Sequence, residues 1–257
     1  MMNSLLLKKV LLGLSLTTVL LVAGEQFAMS DADRKMYEEL KENNPADMNV
    51  EEGMEIFEEL GDEAALAKFL EVDEKKLAEY IAGFPRYIKK MGNVVGLDQV
   101  LQVMQVEQKK EKYALNSEKM TSLLAYVKSL ANDIAINIDV KENSEMKESF
   151  ALGEKLYSEV RGYRGLSCNS CHSLPGTILR TQVLPEMGAQ NTGGTWPAYR
   201  MTLSTMVTLQ ERSRTCMRDA GQAPLPLGSK EMVAVEVYIT NLAKNKKHGI
   251  EVPGLKR

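Results

Sequence analysis

Residues 168–172 read Cys-Asn-Ser-Cys-His, and nothing else in this 257-residue chain narrows its fold as far. C-x-x-C-H is the attachment site of a c-type haem: each thiol adds to one vinyl group and the adjacent His reaches the iron. A zinc site would need four N or S ligands, and beyond the motif the chain offers only Cys216 and His248. A dithiol redox pair would sit beside a βαβ pattern, which the sequence lacks. The expectation is therefore one haem c, held covalently by Cys168 and Cys171, with His172 as the proximal iron ligand through Nε2. The other ring nitrogen then needs an acceptor, and the nearby carbonyl of Pro175 is the expected one.

The chain has three cysteines, so Cys216 is left over. A lone thiol in an oxidising compartment is a liability unless it is buried or ligated. Iron would remove that liability by holding it as thiolate. The rival sixth ligand is a methionine, the usual choice of an electron carrier; Met187, Met201, Met206, Met217 and Met232 lie in the right half of the chain. Arg212 and Leu209 precede Cys216 by four and seven residues and so share its face of a helix. Arg212 is then placed to grip an anion with its guanidinium fork. Arg200 is a candidate partner for a haem propionate, and Trp196 is expected against the haem or the core. Arg161, Arg164 and Arg180 flank the motif and would raise the local positive potential. His248, between lysines and the C-terminus, reads as solvated.

The chain also repeats itself. Phe84-Pro85-Arg86-Tyr87 matches Trp196-Pro197-Ala198-Tyr199 at an offset of 112 residues. Without a gap, Val95, Leu97, Ser117, Met120, Tyr126, Leu130 and Ala131 then meet Val207, Leu209, Ser229, Met232, Tyr238, Leu242 and Ala243. An earlier segment, Gly53–Phe57, pairs with Gly153–Tyr157 at an offset of 100. The first half is thus 12 residues shorter in the stretch where the second half carries its C-x-x-C-H. Cys216 falls opposite Met104 and Arg212 opposite Val100. Two matches in one order point to duplication.

Apolar spacing at three and four residues predicts helices over 50–60, 63–69, 74–82, 97–108, 117–132, 149–161, 204–220 and 229–244. The Gly-, Pro-, Thr- and Asn-rich segment 173–200 reads as loop. The polar stretch 137–144 reads as a linker, and the tail 245–257 is expected to wrap a surface without forming an element. No strand-like alternation stands out. The resulting fold class is all-α: two tandem cytochrome c-like domains, 25–141 without haem and 142–257 with it.

Residues 1–24 have the form of a secretory signal, with Lys8 and Lys9 before an apolar run and small residues at 22–24. Cleavage would leave 233 residues and move the formal charge from −3 to −5. That acidity gives no support for nucleic-acid binding. Haem attachment at C-x-x-C-H also fits export.

Taken together, Leu166–His172, Trp196-Pro197-Ala198-Tyr199-Arg200, Arg212-Ser213-Arg214-Thr215-Cys216-Met217, Glu236-Val237-Tyr238 and the ending Ile250–Gly254 resemble the SoxA family. The resemblance covers nearly the whole chain after the signal. It implies a periplasmic enzyme of two cytochrome c-like domains that joins thiosulfate oxidatively to a cysteine of the SoxYZ carrier and passes electrons to the cytochrome SoxX. It also implies that His172 and Cys216 ligate one haem, that Cys216 works as a persulfide, and that Arg212 lies in the substrate site. Members with two haems carry a second motif in the first half. This chain has none, which implies the single-haem type. The rival function is a non-enzymatic electron carrier with His/Met ligation.

Overall fold

A computed structural model describes residues 31–174, 177–179, 182–187, 191–244 and 249–256 of the protein. The expected signal segment, Pro175, Arg180 and His248 lie outside the described residues.

The first half begins with α1 (Asp31–Glu42) and α2 (Asp47–Leu60), followed by α3 (Glu63–Phe69) and α4 (Leu77–Ile81). A hairpin of β1 (Arg86–Ile88) and β2 (Asn93–Val95) leads into α5 (Leu97–Glu107) and α6 (Glu118–Ser129). The second half repeats this plan with α7 (Ser144–Ser158), the one-turn α8 (Cys168–His172) and a two-residue hairpin, β3 (Ile178–Leu179) and β4 (Gln182–Val183). There follow β5 (Ala198–Arg200), β6 (Thr205–Val207), α9 (Leu209–Asp219), α10 (Lys230–Ala243) and the tail strand β7 (Gly254–Lys256).

The repeat seen in the sequence is a repeat of contacts. In the first half α2 crosses α6 so closely that a Cβ on Gly53 would overlap the carbonyl of Ser122. In the second half α7 crosses α10, and a Cβ on Gly153 would overlap the carbonyl of Ala234. The ring of Phe57 packs on Tyr126 at 5.5 Å and that of Tyr157 on Tyr238 at 5.0 Å. Ser117 and Ser229 each cap the next helix by accepting from the backbone N–H three residues on. The peptide bonds before Pro85 and Pro197 are both cis.

The helix-rich expectation holds, but short strands supplement the helices. Segments of two or three residues are too short to show a period of two in sequence. The predicted helix over 204–220 opens as β6 and becomes helical only after Thr208, whose side chain accepts from Glu211 N while Glu211 accepts from Thr208 N. Tail residues 254–256 form a strand, contrary to expectation, because β5 offers them an open edge. The stretch 137–144 is more than a polar linker: Ile138 is fully buried, and Lys244 donates to its carbonyl.

One apolar core fills the first half and runs on into Val233, Val237, Ile250 and Val252 of the second. Val100 and Met104 are buried in it. A smaller cluster with Tyr157, Trp196, Leu209 and Ile239 surrounds a cavity instead of closing it.

Candidate active site

That cavity is walled by residues of α7, α8, α9, α10 and the tail strand β7. One wall is α8. Ser167 caps it, accepting from Ser170 N, while the Ser170 hydroxyl accepts from Ser167 N. The single turn sets Cys168 and Cys171 on one side, and both line the cavity with His172. His172 is buried, and its Nδ1 is bonded to the carbonyl oxygen of Pro185 at 2.7 Å. This corrects the expectation of Pro175. After α8 the chain turns back through the β3–β4 hairpin, and Met187 N donates to the carbonyl of His172, so the returning strand reaches the ring. With Nδ1 committed there, Nε2 is the nitrogen that can meet a metal.

The facing wall is α9. Leu209, Arg212, Ser213, Cys216, Met217 and Ala220 line the cavity, at the spacing of one helix face. Burial pushes the Cys216 thiol up, against the opposing pull of Arg212, while Asp219 adds to the rise. A positive metal centre is the kind of neighbour that would reverse this and hold it as thiolate. The Cys168 thiol is likewise pushed up to about 11, chiefly by burial.

Arg200 and Trp196 line the same cavity. Of the candidate methionines, Met187 and Met217 reach it, whereas Met206 and Met232 are buried in packing elsewhere. Arg161 pairs with Glu159 and donates to Gln222, and Arg164 is exposed beside the Tyr163 ring; neither lines the cavity. Sequence reasoning missed Asp219, Gln222 and Lys256, which do. Gln222 is positioned by donating to the Leu166 carbonyl, a contact with no local sequence signal.

The residues fit a porphyrin that carries carboxylates. Cys168 and Cys171 supply the two thiols, the walls are largely apolar, and two of the lining residues, Trp196 and Thr192, carry buried polar atoms, Nε1 and Oγ1, with no partner among the described residues. Buried donors are rarely left so, and a propionate would satisfy them.

A repeated helical frame around a C-x-x-C-H cavity defines the class: this is a protein built on the cytochrome c domain. The family model for the SoxA/TsdA cytochrome c domain matches residues 52–136 and again 152–247. The chain belongs to that family, and within it to SoxA. It is 32% identical over 190 residues, 68% of each chain, to the L-cysteine S-thiosulfotransferase subunit SoxA of Hydrogenophilus thermoluteolus. To the SoxA subunit of Hydrogenobacter thermophilus it is 27% identical over 222 residues, covering 83% of this chain and 82% of the other. The crystal structure of SoxXA from P. pantotrophus shares the fold with a TM-score of 0.71 at 21% identity, over 91% of this chain and 86% of that one.

Proposed function

We propose that this chain is the catalytic subunit of a periplasmic thiosulfate-oxidising complex, an L-cysteine S-thiosulfotransferase with a single haem c. The observation that carries this reading is the α9 face: Arg212 and Cys216, one helical turn apart, line the same cavity as Cys168, Cys171 and His172. The names of its relatives support the same activity.

In this reading Cys168 and Cys171 would hold the haem by thioethers, and His172 and Cys216 would hold its iron. Haem c supplies a one-electron acceptor within the cavity. Arg212 takes the sulfonate of thiosulfate through its guanidinium fork, which leaves the terminal sulfur beside Cys216. Cys216, as a persulfide, is the covalent relay. Arg200 holds a haem propionate. The net reaction joins that terminal sulfur to the carrier thiol of SoxYZ, forming one S–S bond and releasing the thiol proton and two electrons. Because one haem accepts electrons singly, a second acceptor is needed, and SoxX is the partner that answers to it.

The first half has no C-x-x-C-H, and Val100 and Met104 fill the positions that correspond to Arg212 and Cys216. Both facts support a single haem in domain 142–257 and a haem-less domain 25–141. A His/Met electron carrier is the second reading, favoured by the presence of Met187 and Met217 on the cavity.

Mass spectrometry of the purified periplasmic protein, intact and as peptides, tests the choice. The expected result is one haem on the Cys168–Cys171 peptide and extra sulfur on Cys216. An unmodified Cys216 together with a methionine-ligated haem spectrum would favour the carrier.

A further inference from the structure

The C-terminal strand brings a third cation to the cavity. β7 pairs in parallel with β5, in the register Ala198 with Gly254, Tyr199 with Leu255 and Arg200 with Lys256. Registered residues of parallel strands project to one side, and successive residues alternate. Tyr199 packs against the core shared with the first half, and Leu255 is buried. The alternate pair, Arg200 and Lys256, lines the cavity with Arg212. Gly254 permits the approach, since a Cβ there would overlap the Thr195 carbonyl.

Both halves hold the strand and the residues that lead into it. Tyr37 Oη donates to the Leu255 carbonyl at 2.8 Å, and Asn44 Nδ2 to that of Pro253 at 2.8 Å. Asn132 takes Val252 from both sides, donating to its carbonyl at 2.7 Å and accepting from its N–H at 2.9 Å. Lys41 pairs with Glu251 at 2.6 Å. From the second half come the β5 ladder, Gly254 N donating to the carbonyl of Pro197 at 3.1 Å, and Met201 N donating to the carbonyl of Lys256 itself at 2.8 Å.

We propose that Lys256 is an oxyanion-binding residue of this site, delivered to it by the clamp that the first half places on the C-terminal strand. Among the described lining residues Arg200, Arg212 and Lys256 stand against a single acid, Asp219, so these walls favour an anion. The oxyanion is the sulfonate of the incoming thiosulfate, or else a haem carboxylate; the two share one chemistry and differ in what they alter. Assigning the sulfonate rests on the thiosulfate reading above. The inference gives the first half a task in the second half's chemistry.

The test compares the holoprotein with its Lys256→Gln, Lys256→Arg and Asn132→Ala variants. Three quantities are measured: steady-state coupling of thiosulfate, affinity for sulfate followed by the haem spectrum, and haem midpoint potential. If Lys256 binds the sulfonate, Lys256→Gln raises KM for thiosulfate about 10-fold or more with little change in kcat. Sulfate affinity falls in parallel, the potential stays put, and Lys256→Arg restores most of the loss. Asn132→Ala, acting through the strand, reproduces part of the KM effect. If the oxyanion is a haem carboxylate, the potential shifts and KM does not. Unchanged KM, sulfate affinity and potential in Lys256→Gln would overturn the proposal. Sulfate binding is read without turnover, so it judges Lys256 even if the coupling activity itself proves absent.

Discussion

Gly53 and Gly153 occupy the same point of two like helix crossings. The first lies under the carbonyl of Ser122 and the second under that of Ala234, and the Cβ of Tyr126 or Tyr238 stands beside each. In both, backbone rather than a movable side chain blocks any added atom. Gly53→Ala and Gly153→Ala should each destabilise the protein by about 3 kcal/mol or more, read as a lowered Tm of the holoprotein. Only Gly153→Ala should also disturb the haem spectrum, because α7 carries Tyr157 to the cavity wall.

A small cavity between the halves joins Asp98 and Lys128 of the first to Glu236 of the second. Burial pushes Asp98 from its ordinary value of 3.8 to about 7, and the neighbouring Glu236 adds to the rise. Glu236 is raised too, chiefly by burial, with Lys128 opposing, while burial holds Lys128 down. Well below pH 3.8 Asp98 is protonated in folded and unfolded chains alike and costs nothing. As pH rises towards 7 the unfolded chain loses that proton first, so stability falls across the window and levels off above it. Asp98→Asn should therefore stabilise the protein at pH 8 by about 1–3 kcal/mol and by much less near pH 4. Thermal melts at both values check this, and a gain of equal size at pH 4 would rule the explanation out.

Cys216→Met keeps a soft ligand at the same point of α9. It should preserve a six-coordinate haem while abolishing thiosulfate coupling, measured as carrier-bound thiosulfonate by mass spectrometry. Retained coupling would remove the covalent role of Cys216.

Arg212→Ala should lower the apparent affinity for thiosulfate about 10–100-fold, the cost of one charged contact. Salt should weaken the wild-type affinity in the same direction. A KM that does not move would sink the clamp.

Trp196 is buried at 4% exposure, and its indole N–H has no partner among the described residues. Trp196→Phe keeps most of the packing and removes the donor. With a propionate left less well satisfied, the ferric haem gains, and the midpoint potential should fall by about 20–60 mV, the equivalent of one ordinary hydrogen bond for a one-electron couple. Potentiometry of the holoprotein gives the answer directly.

Much of this site is legible in the sequence. C-x-x-C-H announces the haem attachment, and the spacing of Leu209, Arg212 and Cys216 places them on one face whatever that helix packs against. The duplicated pattern, from Gly53 and Gly153 to Ser117 and Ser229, specified a frame built twice. Those features depend on neighbours a few residues apart, where helix geometry dictates who meets whom. Tertiary structure alone decided which carbonyl receives the His172 ring, because Pro185 arrives only after the hairpin closes. It alone set Lys256 beside Arg200, 56 positions earlier in the chain. A three-residue parallel strand has no periodicity to announce it, and its register comes from α1, Asn132 and the open edge of β5 acting together. Contacts that distant are chosen by what the rest of the fold leaves unsatisfied, which no local pattern records.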